Sequence, residues 1–121
     1  MWIFSPSTGF LSVVVARASE TDPTPDLNHL NIRARDPRHL ELLQRSSPDL
    51  AQFEIIESSA GRDYPVRLVP IPKRAFAQAL FDLCMDLDYE NHKSASARSG
   101  CSDAYQDVLH AVWTATRQLQ R

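Results

Sequence analysis

The apolar positions of this chain change period along its length, and the change divides it into a strand-like part and a helical part. MWIF, Met1 to Phe4, and FLSVVVAR, Phe10 to Arg17, are short aromatic and β-branched runs on either side of the turn-rich SPSTG. That pattern predicts a β-hairpin with a longer loop. The polar stretch from Ser19 to Asn28 carries Pro23 and Pro25 and reads as an exposed loop. In HLNIRARD, Leu30, Ile32 and Ala34 alternate with Asn31, Arg33 and Arg35, the period of a half-buried strand.

Asp36-Pro37 then marks a helix start. The carboxylate of Asp36 accepts from first-turn amides, and Pro37 has no amide to leave unpaired. Leu40 and Leu43 mark the buried side of that helix, with Leu42 flanking it, and SSPDL, Ser46 to Leu50, ends it. FEIIES, Phe53 to Ser58, and YPVRLVPIP, Tyr64 to Pro72, are strand candidates joined by the turn SAGRD. Val66 and Leu68 face one way in the second. Its three prolines donate no ladder hydrogen bond, which predicts an edge strand.

From Lys73 the period lengthens. Phe76, Leu80, Leu83 and Leu87 are spaced four, three and four apart, one stripe of a helix. A Ser- and Ala-rich connection follows, ending at Gly100. Ser102 is then a good N-cap for a last helix, with Tyr105, Val108, Leu109, Val112, Thr116 and Leu119 on its inner side and Trp113 at the edge of that stripe. The order strand, strand, strand, helix, strand, strand, helix, helix predicts an α+β fold in one domain spanning 1–121. Its antiparallel sheet has about four to five strands with helices packed on one face, a two-layer sandwich whose expected relation is to ferredoxin-like folds.

Composition narrows the function more than it identifies it. Thirteen basic and fifteen acidic residues leave a formal net charge of −2, which disfavours a strongly cationic nucleic-acid binder. Cys84 and Cys101 are too few for a disulfide-stapled scaffold and read as reduced thiols, although a disulfide across a helical hairpin stays open. Phe10 to Ala18 ends in an A-x-A triplet, but it lacks a basic start and is preceded by Pro and Gly, so it does not read as a signal peptide. No run reaches membrane-spanning length. The expected location is the cytoplasm, with no membrane partner.

The densest polar segment is DLDYENHK, Asp86 to Lys93. On a continuing helix Asp88 and His92 share a face, while Asp86 and Glu90 lie on another side. His29, His39 and His110 fall in separate elements, and no calcium-loop spacing is present. Three glycines, Gly9, Gly61 and Gly100, leave little scope for a phosphate-cradling loop, and no nucleophile motif occurs. The sequence therefore predicts no catalytic residue, no metal site and no cofactor. Asp82, Asp86 and Glu90 recur every four residues and predict an acidic ridge on one helix face, a solvated surface or a dock for a basic partner, unless Arg33 and Arg35 neutralise it. Arg33, Arg35 and Arg67, with Tyr64 nearby, offer a different surface, a sheet face for nucleic acid or a small ligand. Such a face needs aromatic side chains between the basic ones, and the positions next to these arginines along their strands are mostly aliphatic.

The opening MWIFSPSTGFLSVV resembles that of a set of small, functionally uncharacterised bacterial and phage proteins with an MW-apolar-F start and a GF-x-S strand. Asp88 to Lys93 is similar to their D-Y-x-N-F-K segment, with His92 in place of the aromatic residue. LNIRARD, Glu57 to Tyr64, and the closing VW before a terminal LQ are similar too. The resemblance implies a shared fold and no established activity. It implies that His92 is a substituted packing residue, and it draws attention to Tyr89, Asn91 and Lys93. It also implies a mobile-element accessory protein, such as an inhibitor of a host or defence complex of the anti-CRISPR kind. The expected function is thus binding of a protein partner without catalysis, through Asp82, Asp86, Tyr89, Glu90, Lys93 and Trp113. The alternative is nucleic-acid or small-ligand binding at Arg33, Arg35 and Arg67.

Overall fold

The computed structural model describes residues 1–58 and 61–120. Five strands form one antiparallel sheet in the order β1-β2-β3-β5-β4: β1 Trp2–Ser5, β2 Gly9–Arg17, β3 Pro25–Ala34, β4 Ile56–Glu57 and β5 Val66–Pro72. The described residues also form four α-helices, one between β3 and β4 and three after β5: α1 Pro37–Ser46, α2 Lys73–Met85, α3 His92–Arg98 and α4 Asp103–Thr116. The α+β class and the antiparallel sheet agree with the sequence pattern. The relation to ferredoxin-like folds does not hold, because three strands precede the first helix where that fold alternates β-α-β-β-α-β.

The β1–β2 hairpin closes with Ser5 opposite Gly9, which has φ +75°. Gly9 packs directly against the His39 ring, so a side chain there meets the imidazole. On one sheet face Leu11, Val13, Ile32, Ala34, Val66, Leu68 and Ile71 are buried under Leu40 and Leu43 of α1, Leu50 of a 3₁₀ turn, and Phe76 and Ala79 of α2. Asp36 caps α1 as expected, accepting from the Arg38 amide at 3.0 Å.

Several expectations are corrected. β3 begins at Pro25, inside the stretch read as a loop, and a bulge between Val15 and Ala16 of β2 absorbs the added residues. FEIIES contributes only Ile56–Glu57 to the sheet. β5 is not an edge strand, since it lies between β3 and β4. However, β4 pairs only with Val66 and Arg67, so the half of β5 bearing Pro70 and Pro72 has no strand outside it. That is where missing N–H groups are tolerated. The first two residues of the predicted SAGRD turn lie outside the described residues.

The helical third departs furthest from expectation. α2 stops at Met85, before Leu87, which is exposed. The Ser- and Ala-rich connection is itself helix α3, capped by Asn91, whose side chain accepts from the Ser94 amide at 3.0 Å. Along α4 only Tyr105 is buried. Leu109 and Val112 are half-buried, Val108 is 45% exposed, and Leu119, in the 3₁₀ turn that follows, is 79% exposed. The apolar stripe read as an inner side is therefore mostly uncovered. α4 is moored at its first turn, where Tyr105 lies edge-on to His39 and its hydroxyl donates to the Ser5 carbonyl at 3.3 Å. Burial raises the pKa of that hydroxyl well above the usual phenol range, so it stays a donor. The Cys101 thiol donates to the Pro6 carbonyl beside it, and both cysteines are free thiols. No helix among the described residues is long and apolar enough to cross a membrane.

Candidate functional site

Two surfaces meet at Phe4. The first is an open cavity of about 590 Å³ between β1 and the α3–α4 pair. Phe4, Leu109, Val112 and Trp113 supply its apolar wall, and Glu90, His92, Lys93 and His110 its polar rim. Lys93 Nζ lies 3.4 Å from His110 Nδ1, the His110 ring stacks on Trp113, and the Arg117 guanidinium lies 5.3 Å from the Trp113 ring centre. Trp113 is nevertheless 59% exposed. His92 stands edge-on to Tyr89 with ring centres 6.0 Å apart, and burial lowers its pKa. His92 is half-buried, and its Nε2 is buried without a hydrogen-bond partner among the described residues.

Of the six residues expected to bind a partner, Glu90, Lys93 and Trp113 line this cavity, and Tyr89 reaches it through His92. Asp82 and Asp86 do not. The acidic ridge fails as helix geometry: Asp82 lies on α2, Asp86 is its C-cap, and Glu90 lies in the following connection, so the three do not share a helix face. Asp82 accepts from Gln78 at 2.9 Å. Asp86, Asp88 and Glu90 are exposed in the 86–91 connection, and Glu90 lines the cavity. Asp88 and His92 likewise lose their common face, because Asn91 separates them as a cap. Among the described residues no three His, Cys, Asp or Glu side chains converge as a metal-ligand set.

The second surface is the sheet face opposite the core. Antiparallel register puts Trp2, Ser12, Arg33, Arg67 and Ile56 in one row across β1, β2, β3, β5 and β4, because directly opposed residues share a face. A neighbouring pair, Phe4 and Phe10, stacks at 4.7 Å. Phe10 is also 5.7 Å from the Trp2 ring, edge-on, and 6.5 Å from Tyr64. The Arg33 guanidinium lies 4.4 Å from the Tyr64 ring centre and that of Arg35 5.2 Å away. Arg33 donates to Ser12 Oγ at 2.8 Å, and Arg67 donates to Glu20 Oε1 at 2.6 Å. Arg33 and Arg35 are thus turned to Tyr64 and leave the Asp82–Glu90 acids unneutralised. The interleaved aromatics that seemed missing come from β1 and β2, across strands instead of along them.

Neither a protein-family model, a curated protein nor a solved structure matches the chain.

Proposed function

We propose that this protein is a non-catalytic binding module of the cytoplasm that docks a partner protein on the cavity between β1, α3 and α4. The observation that carries the reading is the uncovered stripe of α4. Leu109, Val112 and Trp113 wall a 590 Å³ trough that the chain itself does not fill. Soluble proteins seldom leave such apolar surface open without a use for it. An exposed Trp beside a recess is also a common anchor of interfaces.

The charge around the trough defines the partner. Glu90 and Lys93 stand on the trough's rim, and Asp86, Asp88 and Glu90 are exposed in the adjoining 86–91 connection, so the fitting occupant is an apolar anchor with Lys or Arg on the side that faces that connection. The finer reading, an inhibitor of a host or defence complex, draws on the resemblance alone.

Two substitutions test the docking. Val112→Asp and Trp113→Ala alter half-buried or exposed positions and leave the sheet core untouched. Each is expected to abolish near-stoichiometric capture of the protein that wild type retains from host lysate. The same variants are expected to abolish protection of the α3–α4 amides when Leu-anchored, Lys-flanked peptides are titrated. Identical capture and identical titrations for wild type and variants would refute the proposal. A wild-type dimer that Val112→Asp dissociates would replace it with self-association.

A further inference from the structure

The Arg33–Arg67 pair is difficult to explain as structure alone. The two residues are directly opposed in register on neighbouring strands, a placement of like charges that weakens a sheet, although Arg33 turns to Ser12 and Tyr64 and Arg67 to Glu20. Arg67 is only 17% exposed. Nε of Arg33 and Nε of Arg67 are both buried without a hydrogen-bond partner among the described residues, as is Oδ1 of Asn31 on the same face. One carboxylate, Glu20 in the loop between β2 and β3, contacts Arg67, and Glu20 itself is 82% exposed. Those Nε atoms are themselves closed to solvent, so an incoming anion would meet the terminal nitrogens, which now contact Ser12 and Glu20; a guanidinium fork suits the paired oxygens of a phosphate.

At the other end of the same row is Trp2, 68% exposed, against Phe10. Three inter-strand steps separate Trp2 from Arg67, roughly 15 Å at the usual strand spacing. Planar rings at one end and phosphate-seeking forks at the other match a short single strand of nucleic acid, whose bases stack while its backbone runs past cations. An acidic peptide would use the forks and leave the rings idle.

We propose that the sheet face opposite the core binds single-stranded nucleic acid, with phosphates at Arg33 and Arg67, bases on Trp2 and Phe10, and Glu20 as a built-in competitor for Arg67. This surface is separate from the wall of the α3–α4 trough, apart from Phe4, and its test does not depend on that docking site.

The test is fluorescence anisotropy of labelled ten-residue oligothymidylate and oligouridylate with the full chain at low salt. Two phosphate contacts predict that log K falls with log salt at a slope of about −1.4. Trp2→Ala, Arg33→Gln and Arg67→Gln are expected to weaken binding roughly tenfold each. Glu20→Gln is expected to strengthen it, and Arg45→Gln, an exposed cation on α1, to leave it unchanged. Thermal melts check that each variant is folded. No anisotropy change at low salt overturns the proposal, as does an Arg45→Gln effect equal to that of Arg33→Gln. Tighter binding of an oligoglutamate peptide overturns it in favour of an acidic protein segment. Complete competition by inorganic phosphate at matched concentration overturns it in favour of a simple anion site.

Discussion

Replacing Gly9 with alanine tests the joint on which both surfaces depend. Gly9 closes the β1–β2 hairpin between Phe4 and Phe10, and two independent costs meet at it. Its φ of +75° is left-handed, which costs an L-residue about 1–2 kcal/mol. A Cβ there would also collide with the His39 ring. Moving the ring breaks the bond from the Phe10 amide to Nδ1, 3.3 Å long, and an orphaned, partly buried amide costs about 1–3 kcal/mol. The sum is about 2–5 kcal/mol. Gly61 is the control. Its φ is +92° and its Cβ would meet nothing among the described residues within 4 Å, which leaves the backbone cost of about 1–2 kcal/mol. Urea unfolding should show a midpoint for Gly9→Ala lower than that of Gly61→Ala by about 1 M or more. In a cycle with His39→Ala the two changes should be non-additive, because the truncated ring no longer meets the new methyl. Equal midpoints for the two glycine variants, or strict additivity in the cycle, would refute the close-contact argument.

Two further outcomes follow from the same geometry. Burial lowers the pKa of His39, and its Nδ1 accepts from Phe10, so the folded state holds it neutral. The unfolded chain takes up its proton first as pH falls below the ordinary value of 6.5, so stability is full above that pH and declines on acidification towards the lowered folded value. Urea midpoints at pH 7.5 and 5.0 should differ less in His39→Gln than in wild type, and an unchanged difference would show that another group carries the effect. Asp36 both caps α1 and forks onto Arg38 at 2.6–3.1 Å. Asp36→Ala should cost about 1 kcal/mol in thermal melts and Asp36→Asn less, since asparagine keeps the cap and the exposed ion pair is weak; equal losses would assign the stability to the pair.

The legible parts of the chain were those governed by local rules. The period-two pattern of Leu30, Ile32 and Ala34 marked β3, and Asp36-Pro37 marked the start of α1, because alternation and capping involve only neighbours in sequence. The 86–98 region was misread for the opposite reason. Spacings of four and three carried the stripe of Phe76, Leu80 and Leu83 on to Leu87, yet the chain leaves the helix at Asp86 and Asn91 starts another. Asn91 is a cap residue by type, and that signal was available in the sequence. The aromatic and basic face was hidden by something else. MWIF does place Trp2 and Phe4 on one side of a strand and Ile3 on the other. Their adjacency to Arg33 and Tyr64 is a matter of register between strands, which depends on the β2–β3 bulge and cannot be read from spacing. The bareness of α4 is likewise a property of what fails to pack on it, and an amphipathic stripe carries no record of its cover.

The proline-bearing half of β5 gives the sheet a polarity of growth. A further strand added beyond β5 would meet Pro70 and Pro72, neither of which has an amide proton to offer, and β4 is only two residues long. The opposite margin is β1, a strand without proline whose outer side has no neighbour in the sheet. Extension of this sheet, whether by an added peptide strand or another molecule of the same chain, is therefore favoured at β1 over the proline-bearing half of β5. Two pyrrolidine rings guard one margin, and the other is the side from which the sheet can grow.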